Sequence, residues 1–140
     1  MKNFIKITTL LIGFSLLFST GCEKLNDEEL LTDHIWKFKE ITTNSTNQNI
    51  ISMVAFVNAL MTNSTMEFKK NGTFTLSMLN QSESGTWELS DDGKTLFTTD
   101  SNGDTDEMTV VKLTKDDLIL QGEEVDDTYG TYSVTMHWTK

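Results

Sequence analysis

The feature that most restricts this chain is a two-residue hydrophobic rhythm. It starts near residue 32 and runs to the C-terminus with one interruption. A period of two places alternate side chains on opposite faces of a strand. Eight such runs are present: His34–Thr42, Thr65–Lys70, Thr73–Leu79, Gly85–Leu89, Lys94–Thr99, Glu107–Leu113, Leu118–Gln121 and Thr128–Trp138. The last alternates Tyr132, Val134, Met136 and Trp138 with Thr131, Ser133, Thr135 and His137. Asn71-Gly72, Asp92-Gly93 and Asn102-Gly103 punctuate the runs, and a Thr-Lys-Asp-Asp turn follows at 114–117. Asn71-Gly72 predicts a type I′ hairpin, which needs two residues at positive φ. Hairpins between consecutive runs predict antiparallel, nearest-neighbour strands. Eight of these either close into a barrel or form a sandwich. The chain has no Pro and few inward charges to protect an edge, which favours closure. Gly130, inside the last run, predicts the bend or bulge that a closing barrel needs.

The interruption is Asn49–Met61, with apolar residues at 50, 53, 54, 57, 60 and 61. Those are helical spacings, and Asn47 or Asn49 is a suitable cap. The segment carries no charge, so it must lie against the body of the domain, either as a lid across an open end or as a plain packing helix.

The N-terminus follows different rules. Lys2 and Lys6 precede a mostly apolar stretch, Ile7–Phe18, and Ser19-Thr20-Gly21 are small. That order is the pattern of an export signal, and about a dozen apolar residues fall short of the ~20 needed to span a bilayer as a helix. The single cysteine, Cys22, comes next. The arrangement resembles a bacterial lipoprotein signal, in which the cysteine becomes the lipidated first residue; Ser19 stands where Leu is usual. The resemblance implies a signal peptide over residues 1–21 and acyl chains, palmitate among them, on Cys22. More than one chain anchors stably. Residues 22–31 then read as a polar lipidated tether. Its acidic EKLNDEE resembles the export signals of Bacteroidetes-type surface lipoproteins. The expected location is the cell envelope, at the outer membrane, on its periplasmic or surface face.

The runs MEFKKNGTFTLS, SGTWELSDDGKTLFTTD and MTVVKLTKDDLILQ, with Trp36 in HIWKFKEI, resemble the lipocalin-like domains of small bacterial lipoproteins. The likeness covers roughly residues 30–140, with His34 where that family usually has Gly. It implies an all-β fold for residues 32–140: a small eight-stranded antiparallel up-and-down barrel with one helix between strands 1 and 2. It also implies an interior that holds a small apolar molecule. The candidate lining residues are Trp36, Phe38, Phe68, Phe74, Trp87, Tyr132 and Trp138.

Composition removes other classes. All eleven basic residues are lysine, against 21 acids, for a net charge of −10. Nucleic-acid binding needs clustered cations and favours the Arg fork. One cysteine allows no internal disulfide and no Cys-based metal site. The two histidines, His34 and His137, open strand 1 and close strand 8, with no carboxylates at ligand spacing. Asp100, Asn102 and Asp104 occupy positions 1, 3 and 5 of a calcium loop. However, Thr105 replaces the glycine at position 6 and Val111 the glutamate at position 12. The run 123–127 reads as a solvated acidic loop. No nucleophile elbow, catalytic constellation or phosphate loop appears. The expectation is therefore a non-enzyme without a cofactor, held at a membrane through Cys22 and binding a small apolar ligand. The alternative is a solid barrel acting as a protein-interaction module.

Overall fold

The structure, a computed structural model, describes residues 26–140. The expected signal peptide, Cys22 and the first part of the tether lie outside the described residues. The elements in order are α1 (Asp27–Thr32), β1 (Ile35–Thr43), α2 (Gln48–Met61), β2 (Thr65–Phe68), β3 (Thr73–Met78), β4 (Gln81–Leu89), β5 (Thr95–Thr99), β6 (Thr105–Leu113), β7 (Asp117–Asp126) and β8 (Gly130–Thr139). The eight strands form a closed barrel in sequence order, and β8 returns to β1. Every pairing is antiparallel.

Helix α1 occupies residues that the sequence reading placed at the end of the tether, 22–31. Asn26 caps it: its Oδ1 accepts from the Glu29 amide at 2.8 Å, and Glu29 Oε2 accepts from the Asn26 amide at 3.2 Å. Three acids in the first turn suit the positive end of the helix dipole. Leu31 is buried, and its carbonyl accepts from Trp36 Nε1 at 3.0 Å. Helix α1 touches β2 and β6, on opposite walls, and so crosses one end of the barrel.

The turns differ from the expected set. Asn71-Gly72 does not make a type I′ turn, since only Gly72 has positive φ (80°). The Gly72 amide donates to Lys69 O, and the Lys69 amide to Thr73 O. This is the three-residue hairpin in which a type I turn ends in a left-handed glycine. The two-residue turn with two positive φ values is at Leu79 (49°) and Asn80 (64°), between the paired Met78 and Gln81. No glycine marks it, so sequence alone gave no sign of it. Strand β4 therefore starts four residues earlier than expected. Strand β7 likewise continues through Glu123, Glu124, Val125 and Asp126, each paired with β8. The supposed acidic loop is mostly strand, because pairing satisfies its backbone whatever its side chains carry. Gly130 makes no bend within β8. It opens the strand at φ 77°, and the register shifts instead between Phe38 and Glu40 and between Val110 and Lys112.

Strand β2 has only four residues and pairs with β1 only over Ile35–Lys37. Helix α2 closes the wall beyond that point. Asn58 Oδ1 accepts from the Ile41 amide at 2.7 Å, and Asn58 Nδ2 donates to Ile41 O at 2.7 Å. A side-chain amide thus replaces one rung of strand pairing. Asn49 Nδ2 donates to Tyr129 Oη at 3.1 Å, and buried Ile50, Val54 and Met61 join the core. Of the two roles considered for this segment, the contacts are those of a packing helix.

Candidate ligand-binding end of the barrel

The two ends of the interior differ. At the α1 end the inward side chains include Trp36, Phe68, Leu96, Leu118, Leu120 and Trp138, none more than 1% exposed, with Phe74 and Trp87 at 8% and 9% and Phe38, Leu89 and Leu113 partly buried. Phe68 meets Trp87 edge-on at 5.8 Å and Phe74 at 6.3 Å, while Phe38 meets Trp138 edge-on at 5.4 Å. Trp87 Nε1 donates to Lys69 O at 3.0 Å. Six of the seven residues expected to line a ligand space therefore pack against one another as a floor. Only Tyr132 stands near the opposite rim.

Towards that rim the inward side chains are Leu76, Met78, Met108, Val110, Val134 and Met136, all only partly buried. Register fixes their direction: Met66 faces Leu76, Leu120 faces Met136, and Ile41 faces Met136 from the other side. Gly122, next inward after Leu120, has open space where a Cβ would stand. Strand β6 pairs with β7 only over Thr109–Leu113, so its rim half, Thr105–Met108, stands free of β7. The barrel thus has a closely packed core under an upper half of partly buried aliphatic and methionine side chains.

Alternation continues past the apolar walls and turns carboxylates inward at the rim. Glu83 pairs with Leu76, Asp106 with Thr98, and Glu124 with Tyr132. All three acids are exposed. Thr98 and Tyr132 are each 8% exposed, and among the described residues neither hydroxyl has a hydrogen-bond partner. Burial, followed by the charges of Glu124 and Asp126, pushes the Tyr132 phenol up.

The remaining polar candidates lie elsewhere. His34 packs against Trp36 with ring centroids 4.2 Å apart and planes tilted by 56°, and both its ring nitrogens are buried without partners. His137 does not meet His34. Its Nε2 lies 2.8 Å from Asp117 Oδ1, and Lys112 Nζ lies 2.6 Å from Asp117 Oδ2. These bonds, Lys112 first, hold the Asp117 carboxyl down to about 2. Asp100 turns on itself: its Oδ1 accepts from the amides of Asn102 (2.8 Å) and Asp104 (3.0 Å). Those bonds, with Asp104 foremost, lower its pKa. Among the described residues no three His, Cys, Asp or Glu side chains converge as metal ligands. No helix there is long and apolar enough to cross a membrane.

A family model described as a lipocalin-like domain matches residues 33–120. The chain belongs to the lipocalin-like domain family. Solved structures similar to this lipocalin-like barrel include a DUF4847-family protein from Bacteroides vulgatus. It is 15% identical, with a TM-score of 0.49, covering 78% of this chain and 95% of that one. Bovine odorant-binding protein in complex with its natural ligand is 17% identical, with a TM-score of 0.49, covering 84% of this chain and 74% of the other. No curated protein matches.

Alternation already puts Val134 and Met136 on the face of Tyr132 and Trp138, but the candidate lining residues did not include these upper walls of the lipocalin-like barrel, and the inward carboxylates of its rim had no reading. The available signal was parity. Counting by twos from Trp87 gives Gly85 and Glu83, and from Leu120 gives Gly122 and Glu124. The count is usable only once β4 and β7 are known to extend that far.

Proposed function

We propose that this protein is a lipid-anchored, lipocalin-like binding protein of the cell envelope that holds a small apolar molecule in the upper half of its barrel. One observation carries the reading: Gly122, on the inward face near the rim, has open space where a Cβ would stand, and its partner Val134 and the inward Leu76, Met108 and Met136 are only partly buried. An eight-stranded barrel is just wide enough to be filled by its own side chains or to hold one small ligand. Here the lower half takes the first course and the upper half the second. Binding rather than catalysis is the natural use of such a space. The neutral fluorophore N-phenyl-1-naphthylamine tests it. The protein is expected to enhance its emission, and Gly122→Phe, which fills the open space, to weaken that response at least about tenfold. No enhancement, or an equal one from both proteins, refutes the reading.

The anchor completes the proposal. Cys22 precedes Asn26 by four residues, a reach of at most about 14 Å. A lipidated Cys22 would hold the α1 end at the outer membrane and turn the rim away from it. Cys22→Ser is expected to abolish palmitate labelling and leave the precursor unprocessed; persistent labelling overturns the assignment. A second reading, a protein-interaction module, is favoured by the outer face of α2. Ile51, Met53 and Phe56 there are 39%, 46% and 64% exposed, an apolar patch of the kind that marks contact surfaces. Phe56→Ser leaves ligand binding unchanged under the first reading.

A further inference from the structure

The barrel wall is not continuous between β1 and β2. The two strands pair over Ile35–Lys37. One further bond runs from the Phe38 amide to Ser64 O at 2.9 Å, and Asn58 of α2 takes over at Ile41. The bulge between Phe38 and Glu40 lies in the gap. The break leaves a cleft of about 760 Å³ in the side of the barrel, bounded by β1, the C-terminal end of α2 and the start of β2. That is the size of a small-molecule site.

Two features of the cleft point to one chemistry. The first is charge. Lys37 and Lys39 line it, and no acid does. Among the described residues the lysine ion pairs are Lys69–Glu67 and Lys112–Asp117, so both cations in the cleft are unpaired. The chain as a whole has a net charge of −10, and an acid-free cleft with two lysines runs against that balance. The C-terminal end of α2 offers little opposition. Asn58 O accepts from Thr62 Oγ1 at 3.1 Å, and Met61 O accepts from the Ser64 amide at 2.8 Å, so carbonyls near that end are already served.

The second feature is a pair of stranded donors. Ser64 lines the cleft and is 1% exposed, and its hydroxyl is buried without a partner. Trp138 is also 1% exposed, with Nε1 buried and partnerless. Phe38, which lines the cleft as well, stands between them. It is bonded to Ser64 on one side and paired with Trp138 on the other, where the rings meet edge-on at 5.4 Å. A buried donor without an acceptor is costly. A guest that carries acceptor oxygens supplies what the described residues do not.

We propose that this cleft binds a small, soluble organic anion through a carboxylate or phosphate group. The anionic group accepts hydrogen bonds from Lys37, Lys39 and the Ser64 hydroxyl, and its apolar part rests on Phe38 and Ala59. The site lies in the wall and does not depend on the apolar space near the rim.

Hexanoate, hexyl phosphate and 1-hexanol, each titrated at pH 7 into isotope-labelled protein followed by amide NMR, test it. At least one of the anions is expected to shift the amides of Lys37, Lys39, Asn63 and Ser64 saturably, and hexanol at the same concentration to leave them in place. The tighter of the two anions identifies the head group. The combined variant Lys37→Gln, Lys39→Gln should weaken the anion about tenfold, and raised salt should weaken it in the wild type. Ser64→Ala should weaken it about fivefold while raising the Tm of the free protein, because a stranded hydroxyl is removed; a merely structural Ser64 would change the Tm alone. No saturable shift from either anion, or an equal one from hexanol, overturns the proposal. Displacement of N-phenyl-1-naphthylamine by the anions without a shift at those amides also overturns it, by placing them inside the barrel. Retention of the protein on phosphatidylglycerol vesicles, with no response to the soluble anions, overturns the soluble ligand in favour of a lipid head group. Unchanged affinity in the double lysine variant overturns the role of these cations.

Discussion

Replacing Asn58 by Leu asks whether a side-chain amide holds the barrel wall where β2 is missing. The change removes three hydrogen bonds: one accepted from the Ile41 amide, and two donated, to Ile41 O and to Val54 O at 3.1 Å. Val54 O lies within α2, where backbone pairing already serves it, so that loss is small. The Ile41 groups are different, since Ile41 is 8% exposed and its N–H and C=O would lose their partner. Each stranded buried group costs about 1–3 kcal/mol. Leu recovers only about 0.5 kcal/mol in helix propensity over Asn. Partial access of water to the pair keeps the sum a little below its midpoint of about 4 kcal/mol, at a net loss of about 3 kcal/mol. For a domain of this size that lowers Tm by roughly 10 °C. Guanidinium denaturation followed by Trp fluorescence measures the first quantity. Hydrogen exchange at the Ile41 amide, which should lose protection selectively, localises it. Asn58→Asp keeps the acceptor but sets a negative charge against two carbonyl oxygens. It should be at least as damaging at pH 7 and recover in part on protonation. If Asn58→Leu falls within about 0.5 kcal/mol of wild type with Ile41 protection unchanged, the amide does not stand in for a strand.

Other substitutions test neighbouring steps of the reasoning. A Cβ at Gly85 would overlap the backbone oxygen of Thr99 and crowd Phe74 Cε1 at 2.7 Å. Gly85→Ala should therefore cost more than about 4 kcal/mol, seen as loss of soluble yield or of the cooperative urea transition; a near-neutral result would show that β4 and β5 can separate there. Leu79 holds φ 49° while 62% exposed. Leu79→Asn should raise stability by about 0.5–1 kcal/mol, with an unchanged denaturant slope, whereas a loss would mean the Leu side chain packs. His34 has its pKa lowered, first by burial and then by Lys140. The unfolded chain thus binds the proton more readily, and stability falls as pH drops through about 6.5 towards the depressed folded value. His34→Phe, which keeps an aromatic ring against Trp36, should flatten the stability profile between pH 7 and 5; an unaltered slope would place the titration elsewhere.

Particular residues show how much was legible in advance. The strand count, the up-and-down order and α2 follow from alternation and helical spacing, because both periods are written in side-chain polarity. Leu79-Asn80 was invisible because the left-handed turn is imposed by the paired strands on either side rather than by a glycine. Residues 123–126 looked like a loop because charge predicts solvation, and a strand with one wet rim can be both solvated and paired. Leu31 looked like tether because a single apolar residue has no period, and its burial depends on Trp36 lying across the barrel end.

By itself, then, the sequence determined that this chain makes hairpins with one apolar face and closes them, since each of those properties is local or follows from covering unpaired edges. The tertiary structure alone decided which half of the interior is filled and which carboxylates turn inward. Filling is a balance of side-chain volumes drawn from eight strands at once, and direction depends on registers and bulges that shift a whole strand from one face to the other.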